Sequence, residues 1–219
     1  MKLMNMKKRM LSIVLSGAMA VSTAVSAGSF SAFAVAQCVA YSGSNVNAQD
    51  YVQWSDTVKS YLTVCDNGNY MRVQSGAIEG KLLVEYYSPD FEPLSTKLID
   101  NELPIFGAFY DSGNNYYVLS GQENPKQNDS LEVFRITKYD KNWNKIKSCG
   151  LYGANTTVPF DAGSARMTHS GDHLLVRTCH EMYKSSDGNN HQSNVTIEVD
   201  MPSMTITDSY TGVMNVDYG

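Results

Sequence analysis

Residues 164–200, SARMTHSGDHLLVRTCHEMYKSSDGNNHQSNVTIEVD, decide the reading of the chain. They read as strand, tight turn, strand, long polar loop, strand. Ser170-Gly171-Asp172 is the turn, and His173-Leu174-Leu175-Val176 leaves it as a strand. Residues 180–194 (HEMYKSSDGNNHQSN) read as the loop, and Val195 to Val199 as the next strand. All four histidines of the chain fall here: His169, His173, His180 and His191.

The same rhythm occurs twice earlier. Asp66-Asn67-Gly68-Asn69 precedes Tyr70-Met71-Arg72-Val73, and Ser112-Gly113-Asn114-Asn115 precedes Tyr116-Tyr117-Val118-Leu119. Further on, the segment from Leu82 to Tyr87 runs into Ser88-Pro89-Asp90-Phe91-Glu92, and the segment from Phe134 to Tyr139 into Asp140-Lys141-Asn142-Trp143-Asn144. Val84 aligns with Ile136, Tyr87 with Tyr139, Phe91 with Trp143 and Leu94 with Ile146. The third copy reaches Asp200-Met201-Pro202-Ser203-Met204. Each copy thus enters a polar turn that carries one large apolar residue, expected to cap the gap between neighbouring units. A fourth strand follows in each.

Composition supports strands. Only 18% of residues are charged, while Tyr (14) and Gly (16) are abundant, which suits twisted antiparallel strands with polar turns. Outside the N-terminus no long stretch places apolar residues at helical spacing. A four-stranded unit repeating over roughly 50–60 residues is the signature of propeller blades. The fold class expected is therefore all-β: about three four-stranded antiparallel blades of an incomplete β-propeller, behind an N-terminal signal peptide. The blades are expected at about 57–103, 104–158 and 159–215. Three blades do not close a ring, so the chain is expected to be a fragment or a truncated product; a sandwich-like domain that covers its own edges is the rival architecture.

Residues 1–36 read as the signal peptide. Lys7, Lys8 and Arg9 form a basic start, the stretch from Met10 to Val25 is apolar and small, and cleavage is expected near Ala34 or Ala36. The small-residue core is too weakly hydrophobic to favour a membrane anchor. Residues 37–56 form a polar lead-in with a strand around Tyr51 to Trp54. The exported part keeps 13 bases against 22 acids, a net charge of −9. It has no basic stripe, so neither nucleic acid nor, after cleavage, membrane is expected as a partner. A secreted, extracellular protein with a glycan or protein ligand fits better. Cys38, Cys65, Cys149 and Cys179 form no Cys-x-x-Cys pair; they allow two disulfides in three connectivities, or buried free thiols.

The narrower resemblance rests on TKYDKNW (residues 137–143), YGANTTVPFDAGSARMT (152–168) and CHEMYKSSDGNNHQSN (179–194). With these words the chain resembles the β-propeller superfamily, in particular exported propeller-like proteins of Gram-positive anaerobes. That resemblance implies an architecture and brings no assigned activity.

Three polar loops, 121–130, 153–163 and 180–194, are expected on one rim, where strand scaffolds present function. The ligand-binding candidates are Asn124, Asn155, Asp161, His180 and His191. His180 is also the candidate general base, with Glu181 or Asp161 orienting it and Arg166 or Arg177 binding an anionic group. His180, Glu181 and His191 match no metal-ligand spacing, and neighbours on a strand point to opposite faces, so neither metal nor cofactor is expected. The first functional reading is a secreted binding or scaffold module. The alternatives are an enzyme of group-transfer or lyase type using His180 with Arg166 or Arg177, and a structural remnant with no intact site. No nucleophile elbow or phosphate loop is present.

Overall fold

Each of the three sequence echoes folds into its own antiparallel meander. The structure, a computed structural model, describes residues 57–161 and 165–213. The signal peptide expected over 1–36, the lead-in over 37–56 and Cys38 lie outside the described residues. The first sheet has β1 (Ser60–Val64), β2 (Tyr70–Ile78), β3 (Lys81–Tyr87) and β4 (Pro93–Asp100) in sequence order. The second has β5 (Ile105–Asp111), β6 (Tyr116–Gly121), β7 (Glu132–Tyr139) and β8 (Lys145–Tyr152). The third has β10 (Arg166–Ser170), β11 (His173–Lys184), β12 (Asn190–Asp200) and β13 (Thr205–Tyr210), and β9 (Thr156–Pro159) joins it along β11. No helix occurs among the described residues.

Glycine sets the first turn of each meander. Gly68, Gly113 and Gly171 take φ of 82°, 89° and 56°, a region that costs a residue with a Cβ about 1–2 kcal/mol. The middle strands then carry the core. β6 is buried along its whole length, as a strand covered on both faces must be. Its Tyr116 and Val118 join Met71, Val73, Leu82 and Val84 of the first sheet. Its Tyr117 and Leu119 join Leu174, Val176, Val195, Ile197 and Val199 of the third. The second sheet is therefore the filling between the other two. The outermost strands β4, β8 and β13 are largely exposed and bear Lys97, Lys145, Lys147 and Asp208, charges that oppose edge-to-edge pairing.

The apolar turn residue locks one sheet to the next. Trp143, at φ 65°, is only 5% exposed; it lies among Phe109, Tyr116 and Tyr139 and donates from Nε1 to the Tyr86 hydroxyl of the first sheet at 3.1 Å. Met204, at φ 49°, is buried in the core between the second and third sheets. A lysine from each preceding sheet seals the turn: Lys97 Nζ donates to the Asn142 carbonyl and Lys147 Nζ to the Ser203 carbonyl, both at 2.7 Å.

The stretch 180–194, expected as a loop, is mostly strand. β11 and β12 run on to a tight turn in which Ser185 N donates to the Asn189 carbonyl at 2.9 Å and Gly188 N to Ser185 at 3.0 Å. The period-two alternation continues through His180 and Met182 inward, and the first dense turn chemistry is Ser185-Ser186-Asp187-Gly188. The 153–163 loop likewise contains a strand, β9, which occupies the edge of β11 beyond the end of β10. Cys65, Cys149 and Cys179 are free thiols, one in each sheet region, so no disulfide forms among the described cysteines. Burial pushes the Cys149 thiol up to about 11.

Candidate functional site

The loop 122–131, β9 and the far ends of β11 and β12 meet at one rim, joined by hydrogen bonds. Asn124 is the knot. Its backbone N donates to the Thr157 carbonyl at 2.7 Å, its Oδ1 accepts from Asn128 N at 2.9 Å, and its Nδ2 donates to the Asn128 carbonyl at 3.1 Å and to the Tyr183 hydroxyl at 3.0 Å. An Asn can make these bonds at once because its amide carries both a donor and an acceptor. Tyr183 in turn donates to Asp129 Oδ1 at 3.2 Å. Burial, then the Asp129 carboxylate, raises the Tyr183 pKa, so the phenol stays protonated as the donor.

β9 is pinned from both sides. Tyr183 N donates to the Asn155 carbonyl at 3.2 Å, with Asn155 Oδ1 at 3.3 Å. The Thr157 hydroxyl donates to Glu181 Oε1 at 2.6 Å. Phe160, at φ 62°, is buried edge-on against Phe134. It fits because Gly107 and Gly121 lie beneath it; a Cβ on Gly107 would stand 2.4 Å from Phe160 Cζ, and one on Gly121 2.8 Å from Cε2. At the outer margin, Gln192 Nε2 donates to Asp161 Oδ2 at 2.5 Å, and His191 Nε2 meets Asp187 Oδ2 at 2.8 Å.

His180 belongs to the interior. Its residue is fully buried, and Nδ1 lies 2.6 Å from the Thr156 hydroxyl. That hydroxyl also lies 2.9 Å from the Ala154 carbonyl, so it links the imidazole to the chain entering β9. Nε2 is buried without a hydrogen-bond partner. Desolvation pushes the His180 pKa down to about 4, offset in part by the Thr211 backbone. A neutral imidazole sealed from solvent ties β9 to β11.

The catalytic pairing expected from sequence is therefore corrected. Along β11 burial alternates residue by residue, which puts Arg177 on the exposed face and His180 on the buried one. Arg166 is the cross-strand partner of Arg177 and shares its exposed face. Arg177 Nη1 donates to Thr196 Oγ1 at 2.8 Å and Arg166 Nη1 to the Ala165 carbonyl at 3.1 Å. Neither guanidinium faces the imidazole. Glu181 is engaged by Thr157, and Asp161 by Gln192, so neither orients His180. His169 meets the Tyr110 hydroxyl and His173 meets Glu198, each elsewhere in the third sheet. Among the described residues no group of three or more His, Cys, Asp and Glu side chains could hold a metal ion.

Of the ligand-binding candidates, Asn124 and Asn155 lie within the network, Asp161 and His191 at its margin and His180 beneath it. Sequence reading missed Thr156, Thr157, Tyr183 and Phe160, which assemble the rim. Val158-Pro159-Phe160, an apolar triplet inside a polar stretch, was the available signal for the plug.

No known family model matches the chain. No curated protein sequence matches it either. Among solved structures it is similar to an ACO/RPE65 chimera in a monoclinic crystal form, with a TM-score of 0.45 and 10% identity over 71% of this chain. The chain spans 38% of the length of that structure.

Proposed function

We propose that the chain is a secreted binding or scaffold module, its sheets serving as propeller-type blades, with the rim offered to an extracellular glycan or protein. The observation that carries this reading is the rim itself. Three segments from two sheets are fixed to one another through Asn124, Thr157 and Tyr183, while the side chains suited to acid–base chemistry are dispersed or buried. A surface built this way holds polar groups in place for recognition, and leaves Asp161, Gln192, Asp187 and His191 at the solvent margin. The repeated interlock of Trp143 and Met204 with the preceding sheet supports the blade reading.

The test is a glycan array and a panel of extracellular matrix proteins, probed with the protein recovered from culture medium. An Asp161→Ala, Gln192→Ala double variant is expected to lose the wild-type signal with its melting temperature unchanged. Retention of full binding by that variant, or retention of the protein inside the producing cells, contradicts the proposal.

A further inference from the structure

At the opposite end of the strands from the rim, the second and third sheets part to leave a cleft of about 300 Å³. The β5–β6 turn, β6 and β7 form one wall, with Asn114, Asn115, Tyr117 and Lys138. The other wall comes from the β10–β11 and β12–β13 turns, with Asp172 and, as an apolar patch, Met201-Pro202. Lys138 bridges the two walls: its Nζ donates to the Met201 carbonyl at 2.9 Å and lies over the Tyr117 ring, 6.0 Å from the centroid.

Tyr117 is the unusual member. The residue is fully buried, yet its hydroxyl has no hydrogen-bond partner. Of the buried side-chain atoms without a partner among the described residues, it is the one that lines this cleft. A phenylalanine would pack equally well there without the cost of a desolvated hydroxyl, roughly 1–3 kcal/mol. The hydroxyl gains a partner if a ligand reaches it, and Lys138, held beside the ring by one hydrogen bond on a flexible four-carbon stem, is the neighbour best able to move.

The lining also defines the ligand chemistry. The Asn114 amide, a phenol and an ammonium can donate, and the Asn114 amide and the Asp172 carboxylate can accept. The His169 imidazole also lines the cleft, its Nδ1 on the Tyr110 hydroxyl, while Ser112 Oγ is bonded to Asn115 and Asn115 Nδ2 to the Tyr139 carbonyl. Lys138 and Asp172 carry opposite charges, so the walls select no ion. An apolar patch facing a mixed donor–acceptor wall matches the two sides of a sugar ring, one rich in C–H and one in hydroxyls. The volume equals about ten waters of liquid, enough for a sugar ring. We propose that this cleft binds a small neutral saccharide. The site shares no residue with the rim and stands independently of it.

The probes are maltose, cellobiose and diacetylchitobiose, titrated to about 20 mM by ligand-observed NMR and calorimetry, where a millimolar complex is readily seen. At least one is expected to bind the full chain. Asp172→Ala is expected to weaken that binding about tenfold or more, and Tyr117→Phe about three- to tenfold. Tyr117→Phe should melt no lower than wild type, since it removes only the unpartnered hydroxyl, and Asp172→Ala, an exposed turn residue, should melt within about 2 °C of it. In these titrations the rim double variant Asp161→Ala, Gln192→Ala should bind the same small sugar unchanged, because its expected loss concerns the immobilised ligands of the rim, whose array signal a millimolar cleft complex does not give. The proposal is overturned if none of the three sugars binds, if both cleft variants bind like wild type, or if only the rim variant loses binding.

Discussion

Acidification between pH 6.5 and about 4 should destabilise the protein through His180. In the unfolded chain this imidazole takes up a proton near 6.5, whereas in the folded protein burial holds it neutral until about 4. Between those values the unfolded state binds more protons, so stability is greatest above 6.5 and falls as pH drops through the window. The slope is about 1.4 kcal/mol per pH unit, and the loss approaches about 3 kcal/mol in all, with about 2.5 kcal/mol reached by pH 4.5. That is a large part of the stability of a typical domain, about 5–15 kcal/mol. Three carboxylates lose their stabilising bonds mainly below this window. Asp140, bonded by the Asn144 amide, Asp187, bonded by Asn189 N, and Asp200, bonded by the Ser203 hydroxyl, are all held below the usual 3.8. The assay is urea unfolding followed by tryptophan fluorescence at pH 7, 6, 5 and 4.5, on wild type and His180→Asn. Asn keeps a hydrogen-bonding group near the Nδ1 position and does not titrate. It should cost about 1–3 kcal/mol at pH 7 through the space it leaves, yet lose less stability on acidification than wild type by about the amounts above. Equal pH slopes for the two proteins would refute the buried, neutral imidazole.

Trp143→Ala should cost about 3–5 kcal/mol, because the ring fills the gap between two sheets, whereas Phe91→Ala should cost less than about 1 kcal/mol; chemical denaturation of both variants checks the contrast. Gly107→Ala drives a Cβ into Phe160 and should cost about 1–3 kcal/mol, with faster amide hydrogen exchange along β9 as its local signature; unchanged exchange there would count against the plug. At pH 8 only about one Cys149 thiol in a thousand is ionised, so iodoacetamide should label Cys65 well ahead of Cys149 when peptides are followed by mass spectrometry; equal rates would contradict the burial of Cys149.

The all-β class and the four-stranded meanders were legible because their signals are local. Glycine between two short apolar runs needs no partner elsewhere to force a hairpin, as Gly68, Gly113 and Gly171 show. The candidate site was far less legible, because its parts lie in different sheets. Nothing near His180 in sequence announces Thr156, 24 residues away, as its partner. Polar side chains on residues 180–194 read as loop, yet composition does not end a strand; turn chemistry does, and it begins only at Ser185. The same polarity hid the inward direction of His180, which follows from counting in twos from Leu174 and Val176.

The apolar turn residue separates what sequence encodes from what packing decides. Phe91 and Trp143 share one backbone conformation, φ 62° and 65°, and one turn, each donating its N–H to the residue three positions earlier at 2.9 Å. A polar side chain holds both turns: Ser88 Oγ accepts from Asp90 N and Glu92 N, and Asp140 Oδ1 from Asn142 N and Asn144 N. Yet Trp143 is 5% exposed and Phe91 62%, with Phe91 stacked flat on Tyr70 at 4.6 Å. The difference does not lie in the turns. Trp143 has the first sheet to close against, through Tyr86 and Lys97 of β3 and β4, and Met204 has the second sheet in the same way, through Lys147. A bulky residue held at positive φ is strained by about 1–2 kcal/mol in isolation. Burial of Trp143 outweighs that strain several-fold, since a large aromatic contributes about 3–5 kcal/mol when packed. For Phe91 the stacking on Tyr70 offsets only about 0.5–1.5 kcal/mol of it. The turn therefore gains its stabilising role from the sheet it faces, and one turn geometry carries unequal energetic weight in the first and second sheets.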